Sequence, residues 1–265
     1  MQNRRYALRI AYDGAAFRGF QRQPGLPTVQ GALEDALAQT GLRARLDMAA
    51  RTDAGVHALA QVVTFTARSR LAPAELRAAL NARTPPGLLC LDAVEVAPSF
   101  HARASAVSRT YVYLVGLPPP EPLRPYAWSL PDPRSFPEAR GPLDVAAMRA
   151  ALSQAVGEHD FAGFARPGEQ TAKLAVDPEA TVRTLLRAEV HEAGFGPLYA
   201  IVLEGQGFLR AMVRHLVGTA VAVGVGAARP DVVGELLRAR ERYRGVRAPG
   251  WGLTLARVTY PAEIF

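Results

Sequence analysis

Hydrophobic and polar residues alternate over several short stretches of the chain, whereas in other stretches the apolar residues recur every three to four positions. The even-numbered side chains from Tyr6 to Tyr12 are aliphatic or aromatic and share one face, which predicts a β-strand. Between Thr28 and Gly41 the spacing is helical, with Thr28 as the cap and Gly41 as the stop. The same patterns predict strands at 42–48, 59–66 and 88–96 and a helix at 73–83. The predicted order is therefore β-α-β-β-α-β.

The second part of the chain repeats this order. Its predicted strands are 106–116, 181–190, 198–204 and 252–260, and its predicted helices are 144–157, 208–226 and 230–240. Two such copies predict an α+β fold of two ferredoxin-like (RRM-like) split β-α-β units, each with an antiparallel sheet and helices packed on one face. We expect domains at 1–105 and 106–265. The segment 118–142 holds nine prolines and is predicted to be a loop insertion in the second domain.

Length and composition exclude several classes of protein. A chain of 265 residues with 49% hydrophobic residues can form a core, and the single Cys90 excludes a disulfide scaffold. The first residues lack the apolar region of a secretion signal, and the longest uncharged apolar run, 216–228, is too short to span a bilayer. We therefore expect a cytoplasmic protein without a membrane partner. The five histidines show no metal-ligand spacing, so no metal site is expected.

The charge balance suggests a polyanionic partner. The formal net charge is +7, and of the 31 basic residues all but Lys173 are arginine. Arginine binds phosphate through a planar fork and stacks on bases, which favours a nucleic acid. Arginine excess is also typical of a GC-rich genome and a solvated surface, and composition alone does not separate the two. An open sheet face of the predicted topology would offer RNA a platform.

The densest polar segment runs from Arg51 to His57, between two predicted strands. The guanidinium beside Asp53 favours the ionised carboxylate, and Gly55 permits a backbone conformation that a Cβ would block. An ionised, partly desolvated carboxylate is a nucleophile or a base. An ordinary hairpin loop with a surface ion pair would give the same pattern.

Two further segments carry basic and aromatic residues. Arg109, Tyr111 and Tyr113 share one face of a predicted strand, which suits base stacking with phosphate contact, although strand tyrosines often simply pack. In the segment 205–215, Arg210 and Arg214 lie one helical turn apart and could hold a phosphate, or they could face water on an amphipathic helix. A dinucleotide-binding fingerprint is excluded there, because Arg210 stands at the third glycine position and the parallel order is absent.

Together these strings resemble the tRNA pseudouridine synthase A family, nearly from end to end. The most specific string is Arg51–Ala58. The other matching strings are Tyr12–Gly14 with Phe17, Gly19, Gln21 and Gln23; Thr28–Gln30; His101–Arg103; Arg109–Tyr111; Gly207–Arg214; and Ala248–Pro249 with Gly252–Leu253. The chain departs from the family pattern at Ala50, where glycine is usual, and at Ala104 and Val112, where phenylalanine and arginine are common.

The resemblance implies isomerisation of uridine to pseudouridine in the anticodon stem–loop of tRNA, at positions 38 to 40. It implies that Asp53 is the catalytic nucleophile with Arg51 as its partner. Tyr111 would pack on the uracil and serve the later proton transfer, and Leu253 would supply an apolar wall. The family acts as a homodimer and uses no cofactor.

The expected RNA contacts extend beyond the catalytic loop. They are Phe100, His101, Arg103, Glu169, Gln170, Thr171, Lys173, Arg210 and Arg214. The reaction breaks the N1 glycosidic bond and rejoins the uracil through C5. Because the leaving group is also the returning nucleophile, no second carboxylate is needed, in contrast to a glycosidase. Whether Asp53 attacks the sugar or the base, or abstracts a sugar proton, stays open. The alternatives are a non-catalytic RNA-binding protein and a nucleoside hydrolase with an aspartate nucleophile.

Overall fold

The computed structural model describes residues 2–137, 139, 142–165, 177, 179–194, 196–239 and 245–265. The fold is α+β, with mostly antiparallel strands, as predicted. The chain divides into two compact units. Unit 1 comprises the residues up to Arg109 together with Thr254–Phe265, and unit 2 comprises Thr110–Leu253. No helix among the described residues is both long and apolar enough to cross a membrane.

Unit 1 is built around two long strands. Its strands are β1 (Gln2–Tyr12), β2 (Asp47–Met48), β3 (His57–Ser69) and β4 (Leu88–Glu95), and its helices are α1 (Val29–Gln39) and α2 (Pro73–Asn81). β1 lies between β4 and β3 and is antiparallel to both. The other edge of β3 pairs with β2 and, in parallel, with the last strand, β10 (Leu253–Thr259). Pairing of β10 with β3 groups residues from Thr254 onward with unit 1, whereas sequence order assigned them to the second domain.

One face of the unit 1 sheet forms the core. The alternation from Tyr6 to Ile10 buries the even-numbered side chains, and the register pairs Tyr6 with Phe65 on this face. Their rings stack with centroids 5.4 Å apart. Both helices also bury leucines, namely Leu33 and Leu37 of α1 and Leu76 and Leu80 of α2. The threonine cap predicted for α1 is confirmed, since Thr28 Oγ1 accepts the N–H of Gly31 at 3.2 Å.

The other face of this sheet is not an open platform, so that expectation is wrong for unit 1. Arg5 on this face donates to the carbonyl of Phe100, and Thr64 Oγ1 accepts the N–H of Ala102 at 3.2 Å. Ala102 is fully buried with Val62 and Ala49, and the side chains of Val258, Tyr260 and Phe265 pack against this cluster. The segment after β4 and the C-terminal residues therefore cover the face that RNA was expected to contact.

Unit 2 is built around one buried helix. Its strands are β5 (Ser108–Gly116, from Thr110 onward), β6 (Trp128–Ser129), β7 (Gly157–Asp160), β8 (Val182–Glu192) and β9 (Leu198–Gly205), and its helices are α3 (Val145–Ser153), α4 (Met212–Gly224) and α5 (Val232–Ala239). The sheet order is β5-β9-β8-β7. Every residue of α4 except Arg214 is buried. A Cβ on Gly218 would lie 1.9 Å from the carbonyl oxygen of Val246, so this helix needs glycine there.

Several predicted boundaries differ from the structure. The strand expected at 42–48 is reduced to β2, and β7 was not predicted. The helix expected to begin at residue 208 begins at Met212, because Ala211 adopts a left-handed conformation with φ of 65° that interrupts the helix. The proline-rich insertion contains a short 3-10 turn at Glu121–Tyr126 and the two-residue strand β6, which pairs in parallel with the end of β5.

Candidate active site

Asp53 lies in a tight turn between β2 and β3. The N–H of Val56 donates to the carbonyl of Asp53 at 3.2 Å, and Gly55 has a φ of 78°, which confirms the special backbone conformation expected there. Asp53 is half-buried and Arg51 is exposed. The turn therefore presents the carboxylate at the boundary between protein and solvent.

A buried amide fixes the start of this turn. Gln61 on β3 is fully buried, and its side chain binds the backbone of Ala50 at two points. Gln61 Oε1 accepts the N–H of Ala50 at 3.1 Å, and Nε2 donates to the carbonyl of Ala50 at 2.6 Å. The side-chain amide of Gln61 thus bonds both the N–H and the carbonyl of Ala50, as a neighbouring strand would, and it fixes the residue directly before Arg51. The sequence pattern did not identify Gln61 as part of the site.

Tyr12 fixes the turn from β1. Its hydroxyl lies 2.8 Å from Thr52 Oγ1 and 3.5 Å from Gln61 Nε2. Burial raises the pKa of Tyr12 to about 12, although the hydrogen bonds from Thr52 and Gln61 act in the opposite direction. Tyr12 is therefore a neutral hydrogen-bonding group at any physiological pH. The alternation in β1 predicted its burial but not this contact.

Two glycines let the following segment approach the Asp53 turn closely. A Cβ on Gly14 would lie 2.3 Å from the carbonyl oxygen of Val56, and Gly14 donates its N–H to His57 Nδ1 at 3.0 Å. A Cβ on Gly19 would lie 3.1 Å from the carbonyl oxygen of Thr52, and Gly19 has a φ of 96°. Phe20 then donates its N–H to the same oxygen of Thr52 at 3.1 Å. Both ends of the turn are thus packed against backbone that cannot carry a side chain.

The expected RNA-contact residues of unit 1 form a turn after β4. His101 Nδ1 accepts the N–H groups of Arg103 and Ala104 at 3.1 and 3.4 Å, so this imidazole shapes the turn. Phe100 packs on Tyr260 with ring centroids 5.0 Å apart, and Arg103 is exposed. Of the three expected RNA contacts, Arg103 is the one with an exposed side chain.

Arg109 does not share a solvent-facing surface with Tyr111 and Tyr113, and this expectation is wrong. Arg109 is only 7% exposed. Its guanidinium donates to the carbonyls of Ala49 at 3.2 Å, Ala106 at 3.2 Å and Arg103 at 2.6 Å. A planar group with five N–H donors can bind several carbonyls at once. Arg109 thus ties the residue before Ala50 to the segment that carries Arg103.

In unit 2, Tyr111 and Tyr113 are buried rather than exposed for base stacking. Tyr111 packs edge-on against Phe208, with ring centroids 5.2 Å apart. Tyr113 is 1% exposed and donates its hydroxyl to the carbonyl of Pro249 at 2.9 Å. A Cβ on Gly252 would lie 2.5 Å from Cζ of Tyr113, so the tyrosine ring and the backbone before Leu253 are in direct contact.

The proline-rich insertion supports Tyr113. Trp128 is buried and packs between Tyr113 and Phe136, with ring centroids 6.4 and 5.7 Å away. Its indole N–H donates to Asp132 Oδ2 at 2.9 Å, and Ser135 donates to the same oxygen at 2.7 Å. Burial of Asp132 favours the neutral acid, but the hydrogen bonds outweigh it, so the pKa of Asp132 lies below its usual 3.8. The described residues 128–136 of the insertion therefore pack against Tyr113 and support it.

Arg210 and Arg214 do not lie one turn apart on one helix. Arg210 precedes Ala211, and α4 begins only at Met212. Arg214 Nε donates to the carbonyl of Ala248 at 2.7 Å, and the N–H of Ala248 donates back to the carbonyl of Arg214 at 3.0 Å. Arg214 thus holds the segment that leads to Leu253. The other expected RNA contacts, Glu169, Gln170, Thr171 and Lys173, lie outside the described residues.

The site residues fall into two sets. Arg51, Asp53 and the turn with Phe100, His101 and Arg103 belong to unit 1, and Tyr111, Arg210, Arg214 and Leu253 belong to unit 2. Within the part of the chain that the structure describes, no group of three or more His, Cys, Asp or Glu side chains could hold a metal ion. The Asp53 turn of unit 1 presents one carboxylate on a backbone that its neighbours hold in place.

Comparison with known proteins covers most of the chain. A family model described as tRNA pseudouridine synthase matches residues 9–103 and 151–261. The unmatched residues 104–150 include the proline-rich insertion.

Curated relatives match over nearly the full length. A "tRNA pseudouridine synthase A" from Maridesulfovibrio salexigens is 38% identical over 258 residues, covering 97% of this chain and 90% of the relative. One from Thermus thermophilus is 39% identical over 269 residues, with 98% of each chain covered. One from Chloroflexus aurantiacus is 42% identical over 265 residues, covering 97% of this chain and 89% of the relative.

Proposed function

The chain belongs to the tRNA pseudouridine synthase family and isomerises uridine to pseudouridine in tRNA, and we propose that Asp53 is the nucleophile of this reaction. We further propose that the target lies in the anticodon stem–loop, at positions 38 to 40. The observation that carries the catalytic assignment is the construction of the Asp53 turn. Backbone and side-chain hydrogen bonds fix the residues on both sides of this half-buried carboxylate.

The single carboxylate fits the chemistry. When the N1 glycosidic bond breaks, the uracil stays bound, turns, and rejoins the ribose through C5, after which the C5 proton is removed. Uracil supplies both the leaving group and the returning nucleophile, so no water has to be activated. Asp53 acts either by covalent attack or by proton abstraction, and in either case its role needs an ionised oxygen held in a fixed position.

Tyr111 and Leu253 are proposed to contact the uracil. Tyr111 is held by its edge-on contact with Phe208, and Leu253 follows a backbone turn that Tyr113 holds in place. An aromatic and an aliphatic side chain with restricted motion suit a detached uracil, which must not escape and must not meet water. Tyr111 is also the proposed group for the later proton transfer, and Arg51 the proposed partner of Asp53.

The tRNA is proposed to bind through arginines and the turn after β4. The contacts comprise Phe100, His101, Arg103, Arg210 and Arg214, and the segment with Glu169, Gln170, Thr171 and Lys173. The net charge of +7 supports a phosphate-dominated affinity. Such contacts offset the few kcal/mol needed to move a base out of its stack.

We propose that each half of the chain forms one split β-α-β motif, in domains 1–105 and 106–265, and that the last strand of the second motif, β10, is grouped with unit 1 through its pairing with β3. In unit 1 the elements run β1-α1-β2-β3-α2-β4, and β4, β1, β3 and β2 are successive neighbours. In unit 2, β5, α3, β8, β9 and α4 follow in the same order, with β9 between β5 and β8. A cytoplasmic homodimer is the proposed working form, by similarity to the family.

The test is Asp53→Asn, which keeps the shape of the side chain and removes its charge. The matched control is Asp35→Asn, an exposed carboxylate 3.3 Å from Arg22. With tRNA carrying C5-tritiated uridine, we expect tritium release by Asp53→Asn to fall by at least about 1,000-fold, because the nucleophile is lost. Affinity for tRNA should change little, since phosphate contacts dominate it. Chemical mapping of the product should place pseudouridine at positions 38 to 40.

Three other results of these experiments would each contradict part of the proposed function. Retained turnover in Asp53→Asn would remove Asp53 from the nucleophile role. Tight binding by the wild-type protein without any product would favour a non-catalytic RNA-binding protein. Free uracil in the product would favour a hydrolase.

A further inference from the structure

A rigid turn presents one large aromatic side chain to solvent directly before Leu253. Trp251 is 49% exposed, whereas the flanking Gly250 and Gly252 and the following Leu253 are buried. The indole is thus the part of this turn that reaches outward. The other tryptophan of the chain, Trp128, is almost fully buried.

The backbone that carries Trp251 is held from both sides. Tyr113 donates its hydroxyl to the carbonyl of Pro249 at 2.9 Å, and its ring fills the space that a Cβ on Gly252 would need. Upstream, Ala248 and Arg214 exchange two hydrogen bonds of 2.7 and 3.0 Å. A side chain on a fixed backbone loses little conformational entropy when it binds a flat ligand, which is the physical advantage of preorganisation.

The surroundings of Trp251 combine a second aromatic side chain with cations. The 3-10 turn Glu121–Tyr126 of the insertion contacts the turn Gly250–Gly252, and Tyr126 is 38% exposed. Arg124 in the first turn is exposed and forms an ion pair with Glu121 of the same turn, and Arg247, just before the second turn, is also exposed. Aromatic faces interleaved with arginines are typical of surfaces that bind unpaired RNA, because every base has a face for stacking and a phosphate close by.

We propose that Trp251 is a stacking platform for an unpaired nucleobase of the tRNA next to the target uridine. The proposal rests on the proposed function, because the position of Leu253 in the uridine pocket defines what lies next to Trp251. The exposed Arg247, four residues before the exposed indole, favours a nucleic acid over an apolar protein surface. Tyr126, in the turn Glu121–Tyr126, extends this platform, which gives this part of the proline-rich segment a role in RNA binding.

The test compares Trp251→Ala with Trp251→Phe. Loss of one base–aromatic contact corresponds to a roughly 5- to 150-fold weaker affinity, so we expect Trp251→Ala to raise the Kd and the KM for tRNA about tenfold, with a smaller change in kcat. Trp251→Phe should restore most of the affinity, because it keeps an aromatic face. The matched control is Leu186→Ala, which truncates another exposed apolar side chain of unit 2 and should bind tRNA like the wild type.

Tryptophan fluorescence gives a direct readout of stacking. With two tryptophans in the chain, one buried and one exposed, tRNA should quench the emission of the wild type and quench that of Trp251→Phe much less. An unchanged Kd in Trp251→Ala, or equal quenching in Trp251→Phe, would overturn the proposal. If Trp251→Ala binds tRNA normally but shows altered self-association, Trp251 contacts a second protein chain and not the tRNA. If tRNA quenches the emission but no pseudouridine forms, the proposed function is wrong, whereas the stacking of Trp251 on RNA is still supported.

Discussion

Replacing Gln61 by leucine tests how the Asp53 turn is held in place. Gln61 lies on β3 and its amide forms two hydrogen bonds with the backbone of Ala50, 11 residues earlier in the chain. Leucine has a similar volume and suits a fully buried position, but it can neither donate nor accept. The substitution therefore removes the clamp on the residue before Arg51 without opening a large cavity.

The expected cost follows from the two backbone groups that lose their partner. A buried donor or acceptor left unsatisfied costs about 1–3 kcal/mol. Because Ala50 is half-buried, water can reach part of this backbone, so we expect Gln61→Leu to lower the free energy of unfolding by about 2–4 kcal/mol. The free turn should also let Asp53 move, and a misplacement of about 1 Å costs roughly 100-fold in rate.

The measurement combines urea unfolding with tritium release from C5-labelled tRNA at saturating concentration. Gln154→Leu is the matched control. Gln154 makes the same kind of amide clamp in unit 2, with Nε2 donating to the carbonyl of Pro230 at 2.7 Å and Oε1 accepting the N–H of Gly234 at 3.0 Å. Both variants should lose stability, whereas only Gln61→Leu should lose kcat.

A folded Gln61→Leu protein with the kcat of the wild type would rule out this role for Gln61. It would mean that the Asp53 turn keeps its geometry without the clamp. Equal losses of kcat in both variants would show that activity follows overall stability and not the position of the turn.

Two further predictions concern a close contact and a hydrogen-bonded carboxylate. Gly14→Ala should lower kcat about 100-fold, since its Cβ would lie 2.3 Å from the carbonyl oxygen of Val56 and must displace the Asp53 turn. In the control Gly25→Ala, the φ of 71° strains alanine but its Cβ meets no other atom, so this variant should lose stability and keep kcat. Unchanged kcat in Gly14→Ala would contradict this. Asp132→Asn should destabilise the protein at neutral pH. Because the folded-state pKa of Asp132 is lowered, its contribution is present above the usual 3.8 and is lost as pH falls through the lower folded value. The stability difference in urea melts between pH 3 and 7 should therefore shrink toward acid pH, and a constant difference would speak against the assignment.

Local features of this protein follow from the amino-acid sequence alone. The alternation in β1, the Thr28 cap and the glycine conformation at Gly55 each depend on residues within one element or turn, so the local pattern of residues is enough to predict them. The string Arg51–Ala58 and the other matching strings also predicted the family, and the comparisons confirm it.

Features that depend on distant partners follow only from the folded chain. Gln61 and Arg109 look like ordinary strand residues, and their roles arise from contacts with Ala50 and Ala49 that lie 11 and 60 residues away. The covered sheet face of unit 1 and the packing of Trp128 against Tyr113 also arise from contacts between residues far apart in the chain. Periodicity records which side of an element is apolar, but it does not record what packs there. A buried polar group must find a partner somewhere in the fold, and only the tertiary contacts determine which one.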